Sequence, residues 1–146
     1  MTNTAAKPRK TRPPKTVKPE GPVGQIINAE GEVEVKRGNV YFAELDGVGS
    51  EQMGFRPVII VQNNTGNRHS PTVLEVPITT KAKKALPTHC SVMFNNTVQT
   101  ICCEQLRCVD KQRLGRFVGR ATPETMESID RALGISVGIH QKGTCE

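Results

Sequence analysis

The sequence predicts a mainly β domain, a small sheet or barrel of antiparallel strands closed by one C-terminal helix. Three observations carry this expectation. Short alternating or continuously apolar segments recur between residues 39 and 109. Stretches rich in glycine, asparagine and proline separate them. Helical spacing appears only after Thr122.

The first 22 residues stand apart. They hold five of the ten prolines, and residues 1–20 carry six bases against one acid, Glu20. With almost no large apolar side chains, such a segment cannot offset its ordering entropy, so it reads as a disordered basic extension. The net charge of +6 therefore belongs mostly to this tail, because the other 126 residues hold 14 bases and 13 acids. A basic isoelectric point does not by itself make the body a nucleic-acid binder. Residues 23–35 are transitional, with Val33 and Val35 alternating with Glu32 and Glu34 as in a weak strand. The expected organisation is an extension over residues 1–35 and a folded domain over 36–146, starting near Lys36.

From there the elements follow in order. Asn39–Leu45 alternates, with Val40, Phe42 and Leu45 toward one side. The glycine-rich stretch Gly47–Gly54 leads into Pro57–Gln62, a continuous apolar run suited to a strand buried on both faces. Asn63–Pro71 has the composition of a turn. Thr72–Thr79, Thr88–Phe94 and Thr100–Val109 are three further strands, giving five or six in all. Asp110–Leu114 fits an extra turn. For the helix, Thr122 supplies the N-cap, Pro123 suits the first position and Glu124 favours the positive end of the dipole. Met126, Ile129, Leu133 and Val137 then form its apolar face.

Several function classes are excluded. No run approaches the eighteen apolar residues of a membrane span, and no apolar signal core follows the N-terminus. Five cysteines, with Cys102 and Cys103 adjacent, argue for reduced thiols in a cytoplasmic protein and against a disulfide framework. With no tryptophan and one tyrosine, an aromatic platform for stacking bases is not expected. The cysteines at 90, 102, 103, 108 and 145 show no C-x-x-C and no histidine at zinc-finger spacing, so neither a metal nor a cofactor is expected. His89 precedes Cys90, but neighbours on a strand point to opposite faces and do not make a catalytic pair. Walker, dinucleotide-binding and G-x-S-x-G motifs are absent.

A polar constellation remains. Gly49-Ser50-Glu51-Gln52-Met53-Gly54-Phe55-Arg56-Pro57 fixes an arginine ahead of a buried strand, although spacing alone favours a solvated strand start. Pro77-Ile78-Thr79-Thr80 ends a strand in hydroxyls. Glu104-Gln105-x-Arg107 sets polar side chains into an apolar strand, where period two puts Cys102 with Glu104 and Cys103 with Gln105 and Arg107.

At these residues the sequence resembles the MazF/PemK toxins, endoribonuclease halves of bacterial toxin–antitoxin pairs. The matching signatures run through most of residues 36–138. They include Lys36-Arg37-Gly38-Asn39-Val40-Tyr41-Phe42, Gly49-Ser50-Glu51-Gln52, Gly54-x-Arg56-Pro57-Val58 and Gly66-Asn67-x-x-Ser70-Pro71-Thr72. Ile78-Thr79, Leu86-Pro87-Thr88-His89, Glu104-Gln105-x-Arg107 and Asp110-Lys111-x-Arg113-Leu114 continue the series, and Met126-x-x-Ile129-Asp130-x-Ala132-Leu133 matches the helix. The resemblance implies an SH3-like barrel of the MazF/PemK/CcdB type that forms a homodimer in the bacterial cytoplasm. It implies metal-independent, sequence-selective cleavage of single-stranded RNA to 2′,3′-cyclic phosphate and 5′-hydroxyl ends, inhibiting translation. Carried over by motif, Arg56 and Thr79 are catalytic, while Ser50, Glu51, Gln52, Glu104 and Gln105 contact RNA. The implied partners are single-stranded RNA and a MazE-like antitoxin, with no cofactor and no membrane. The alternatives are a toxin of the same fold acting on a protein such as DNA gyrase, or a catalytically silent RNA-binding homologue. Met53, Phe55 and the cysteines at 102, 103 and 108 depart from the family pattern, and residues 1–35 have no counterpart in it.

Overall fold

Val58, Ile59 and Ile60 are each fully buried, and alternation sends them to two different cores. Val58 and Ile60 join Tyr41, Ala43, Leu45, Val73, Val109 and Phe117. Ile59 packs on the other face with Val40, Val76, Ile78, Val92 and Ile101 against the helix residues Met126, Ile129 and Ala132. The apolar run thus forms a strand covered on both sides, as its composition requires.

The computed structural model describes residues 23–31, 34–81 and 84–139. The expected disorder of the basic tail lies outside these residues. The described strands are β1 (Val23–Asn28), β2 (Asn39–Leu45), β3 (Gly54–Ile60), β4 (Thr72–Thr79), β5 (His89–Phe94), β6 (Thr97–Cys102), β7 (Arg107–Asp110) and β8 (Leu114–Ala121). The helices are α1 (Asn64–His69) and α2 (Pro123–Ser136). The sheet runs β3-β2-β8-β1-β5-β6-β4-β7, and an additional β3–β4 pairing closes it into a ring with β7 outside the seam. All pairings are antiparallel except β1–β5. Ring closure gives seven of the eight described strands a neighbour on both sides and leaves β7, paired with β4 alone, as the remaining edge.

The ordered sheet begins at Val23, ahead of the expected start near Lys36. Strand β1 sits between β5 and β8 and is fastened to α2 by one hydroxyl. Thr125 Oγ1 accepts from Gln25 N at 2.8 Å and donates to Gln25 O at 3.1 Å. A Cβ on Gly24 would lie 2.3 Å from that oxygen, so only glycine permits the approach. The strand was hard to foresee because Ile26 is its only buried residue.

Other differences have local causes. Asn63–Pro71 is not a plain turn, since Asn63 Oδ1 accepts from Gly66 N at 2.8 Å and caps the six-residue α1. Asn95 and Asn96 have φ of 51° and 60°, and this two-residue, left-handed turn makes β5 and β6 a hairpin. The expected strand Thr100–Val109 is interrupted by a 3-10 turn over Cys103–Gln105, so the strict alternation expected through Glu104 and Gln105 fails. Cys102 and Cys103 are consequently both buried. Helix α2 starts as expected, with Thr122 capping Thr125 N, but it ends at Ser136 and leaves Val137 58 % exposed. Ala132 takes the core position instead.

Candidate active site

Glycine at φ +60° in position 49 and +87° in position 54 shapes the loop between β2 and β3, a backbone that other residues enter only with strain. Arg56 follows on β3, and its Nε donates to Met53 O at 2.6 Å. This bond ties the arginine to the loop and leaves its terminal nitrogens without a hydrogen bond among the described residues.

Thr79 lies at the end of β4, 1 % exposed, and its Oγ1 accepts from Lys81 N at 3.1 Å. Strands β3 and β4 pair at Ile60↔Glu75, Ile59↔Val76 and Val58↔Pro77. Carried two residues further, that register sets Arg56 opposite Thr79. The observed ladder stops at Pro77 because Pro57 and Pro77 bring no N–H to it. By alternation the two residues belong to one face of the sheet, where β4 leaves β3 and pairs instead with β6 through Thr79↔Thr100.

The loop is held from the opposite side by the turn after β6. Gln52 N donates to Gln105 Oε1 at 2.6 Å, and Gln105 Nε2 donates to Ser50 O at 3.4 Å. Glu51 Oε2 accepts from Val48 N at 3.1 Å and lies 3.8 Å from Arg107 Nη2. Arg107 Nη1 also donates to Asp46 O at 2.8 Å. Of the residues singled out in the sequence, Ser50, Gln52 and Gln105 thus form one hydrogen-bonded group, Glu51 is held separately by Val48 and Arg107, and Arg56 is tied to the same loop through Met53. Glu104 turns elsewhere, with its Oε1 2.8 Å from His89 Nε2. Cys90 points into the core, so His89 and Cys90 do face opposite ways.

Two features escaped the sequence reading. Arg107 is a clamp on the loop rather than a strand residue of unassigned role. Glu75, in the otherwise apolar β4, is fully buried, and neither carboxylate oxygen has a hydrogen-bond partner among the described residues. Burial pushes its pKa up to about 8, against a smaller downward pull from Arg107, its register partner on β7. The acid within an apolar run was the available signal. Among the thiols, the hydrogen bond with Cys90 and burial hold Cys103 well above the usual range, in keeping with inert packing.

Comparison with known proteins places the chain as a whole. The chain is 45 % identical over 111 residues to the endoribonuclease EndoA of Bacillus subtilis (strain 168), covering 72 % of this chain and 96 % of that protein. Its fold is similar to that of an endoribonuclease solved in complex with its cognate antitoxin from a mycobacterial species. That match has a TM-score of 0.63 at 31 % identity, over 74 % of this chain and 99 % of the other. MazF from Deinococcus radiodurans shares the fold, with a TM-score of 0.64 at 18 % identity over 73 % of this chain and 99 % of that one. A family model matches residues 36–137, so the chain belongs to the PemK-like, MazF-like toxins of type II toxin–antitoxin systems.

Proposed function

We propose that this toxin acts as a sequence-selective endoribonuclease on single-stranded RNA, with Arg56 and Thr79 as its catalytic pair. The reading is supported by the β3–β4 register, whose alternation assigns both residues to one sheet face, and by the loop held by Gln105 just ahead of Arg56. Its similarity to endoribonucleases supports the same activity.

Internal RNA cleavage requires in-line attack by a 2′-hydroxyl, stabilisation of a crowded phosphorane and protonation of the departing 5′-oxygen. The terminal N–H groups of Arg56 form a planar fork that matches two phosphate oxygens. The Thr79 hydroxyl accepts from Lys81 N, so its own proton is directed to an acceptor other than that amide. It supplies a third donor. At 1 % exposure it meets a phosphate only after local opening where β4 leaves β3. A guanidinium is a fork of N–H donors with no acceptor to offer, so Arg56 serves as stabiliser and proton donor rather than as base. Glu51, at the loop's edge, is the carboxylate assigned to proton uptake. Ser50, Gln52, Glu104 and Gln105 present the polar groups that position the strand. The products are a 2′,3′-cyclic phosphate and a 5′-hydroxyl, formed without a metal ion. The working form is a cytoplasmic homodimer, and the physiological inhibitor is a MazE-like antitoxin.

The test is incubation of the purified protein with long single-stranded RNA in EDTA, with product ends mapped by sequencing. Discrete cuts bearing cyclic phosphates are expected, absent when the nucleotide 5′ of the cut is 2′-deoxy. Arg56→Ala and Thr79→Ala abolish cutting while RNA binding persists. Cutting at the wild-type rate by Arg56→Ala refutes the site, and intact RNA with wild-type protein points to a protein target instead.

A further inference from the structure

His89, Cys102 and Glu104 bring three different metal-ligating side chains to one point. His89 opens β5, Cys102 lies directly opposite it at the end of β6, and Glu104 follows in the 3-10 turn. Their ligating atoms all lie within 4.8 Å of one another. We propose that these residues form a binding site for a thiophilic divalent cation, with zinc as the fitting ion.

The histidine is already prepared for it. His89 Nδ1 lies 3.1 Å from Lys84 O, and a proton on that nitrogen satisfies the carbonyl and leaves a lone pair on Nε2. Nε2 lies 2.8 Å from Glu104 Oε1, so imidazole and carboxylate already converge on one point, and a proton held between them in the metal-free protein gives way to the cation on binding. A carbonyl holding the far ring nitrogen is the usual outer support of a zinc-bound histidine. It fixes both the tautomer and the ring plane.

The spacing is within reach of the metal. Zinc bonds of ~2.0–2.3 Å in a tetrahedron place ligand atoms ~3.3–3.7 Å apart. The 2.8 Å between His89 Nε2 and Glu104 Oε1 therefore opens while the widest separation, at most 4.8 Å, closes, and rotation of Glu104 contributes to both adjustments. Its side chain is 34 % exposed, whereas that of His89 is 8 % exposed and Cys102 is fully buried. The buried sulfur and ring form the floor of the site, and the carboxylate forms its solvent-facing wall. One soft sulfur, one imidazole nitrogen and one oxygen select zinc over magnesium or calcium, which take oxygen donors. Three protein ligands leave the fourth position to water, the pattern of an exchangeable site. On binding, Cys102 releases its thiol proton to solvent and ligates as the thiolate.

Cobalt(II) titration of the metal-stripped full-length protein, without RNA, tests the site independently of the cleavage proposed above. One equivalent of cobalt is expected to give a thiolate charge-transfer band in the near ultraviolet and the visible bands of a four-coordinate ion, both displaced by zinc. Cys102→Ser removes the charge-transfer band, and Cys108→Ser leaves it intact. Glu104→Gln and His89→Gln each weaken cobalt binding by more than the ~10–100-fold typical of losing an outer-shell partner. Glu104→Gln alters the exposed wall and leaves the core untouched, so it decides the matter even where Cys102→Ser fails to fold. The proposal is overturned by the absence of a charge-transfer band at one equivalent. Wild-type affinity in Glu104→Gln, or a band lost only in Cys108→Ser, overturns it equally.

Discussion

Replacing Glu75 with glutamine keeps the shape of a fully buried side chain and removes its charge. In the unfolded chain this carboxyl ionises near its ordinary value of 4.5, while burial in the fold holds the proton until about pH 8. Between those two values the unfolded state binds fewer protons than the native state, so stability falls as pH rises. Below 4.5 the group is neutral in both states and costs nothing by this route, and above 8 the loss is complete. At 1.36 kcal/mol per pH unit, the wild-type protein gives up about 3 kcal/mol by pH 7 and about 5 kcal/mol past pH 8. A neutral glutamine has no such dependence. Urea unfolding of both proteins at pH 5, 7 and 9, at one protein concentration, measures the difference. Glu75→Gln is expected to gain about 4 kcal/mol on the wild type between pH 5 and pH 9. Parallel pH profiles for the two proteins would falsify the assignment of a neutral, unpartnered carboxyl to this core.

Gly24→Ala drives a Cβ against the Thr125 hydroxyl that fastens β1 to α2, and should cost about 1–3 kcal/mol in thermal or denaturant unfolding. Ile59→Ala empties a site in the main core with no exposed surface and should cost about 2–5 kcal/mol by the same measurement. Gln105→Ala frees Gln52 N and Ser50 O from the turn, so the loop loses its order before RNA arrives. Its effect on cleavage should fall on KM more than on kcat, and unchanged KM would detach Gln105 from loop positioning. Arg107→Ala releases the Asp46 carbonyl and Glu51, and should lower kcat/KM with less than about 1 kcal/mol lost in stability, because the contacts are near the surface.

Patterns that depend on neighbours in sequence were readable. The run Val58–Ile60, the N-cap Thr122 and the face Met126–Ile129 announce buried elements through local period and capping chemistry. Glycines 49 and 54 likewise mark the loop that carries Ser50, Glu51 and Gln52. What depends on cross-strand neighbours was not readable. Strand β1 has one core side chain, and its partners Ser91 and Ala121 are remote in sequence. The 3-10 turn at Cys103–Gln105 replaced an alternation that the residue types alone support. Linear spacing also showed no metal pattern, because His89 and Cys102 meet only through the β5–β6 hairpin, whose turn is the Asn95–Asn96 pair. Nor could the sequence show that Glu75 lacks a hydrogen-bond partner among the described residues, since that follows from packing on both sides of β4.

The ring of strands also sets an order for synthesis. Strand β1 leaves the ribosome before any of the others, yet it pairs with Ser91 on β5 and with Ala121 on β8. Chains emerge N-terminus first, and contacts distant in sequence form slowly. The seam between β5 and β8 therefore stays open until β8 has been made, and the Thr125 fastening waits for α2. A nascent toxin with this topology cannot complete its fold until α2 has emerged, so the first strand made is among the last to be locked in place.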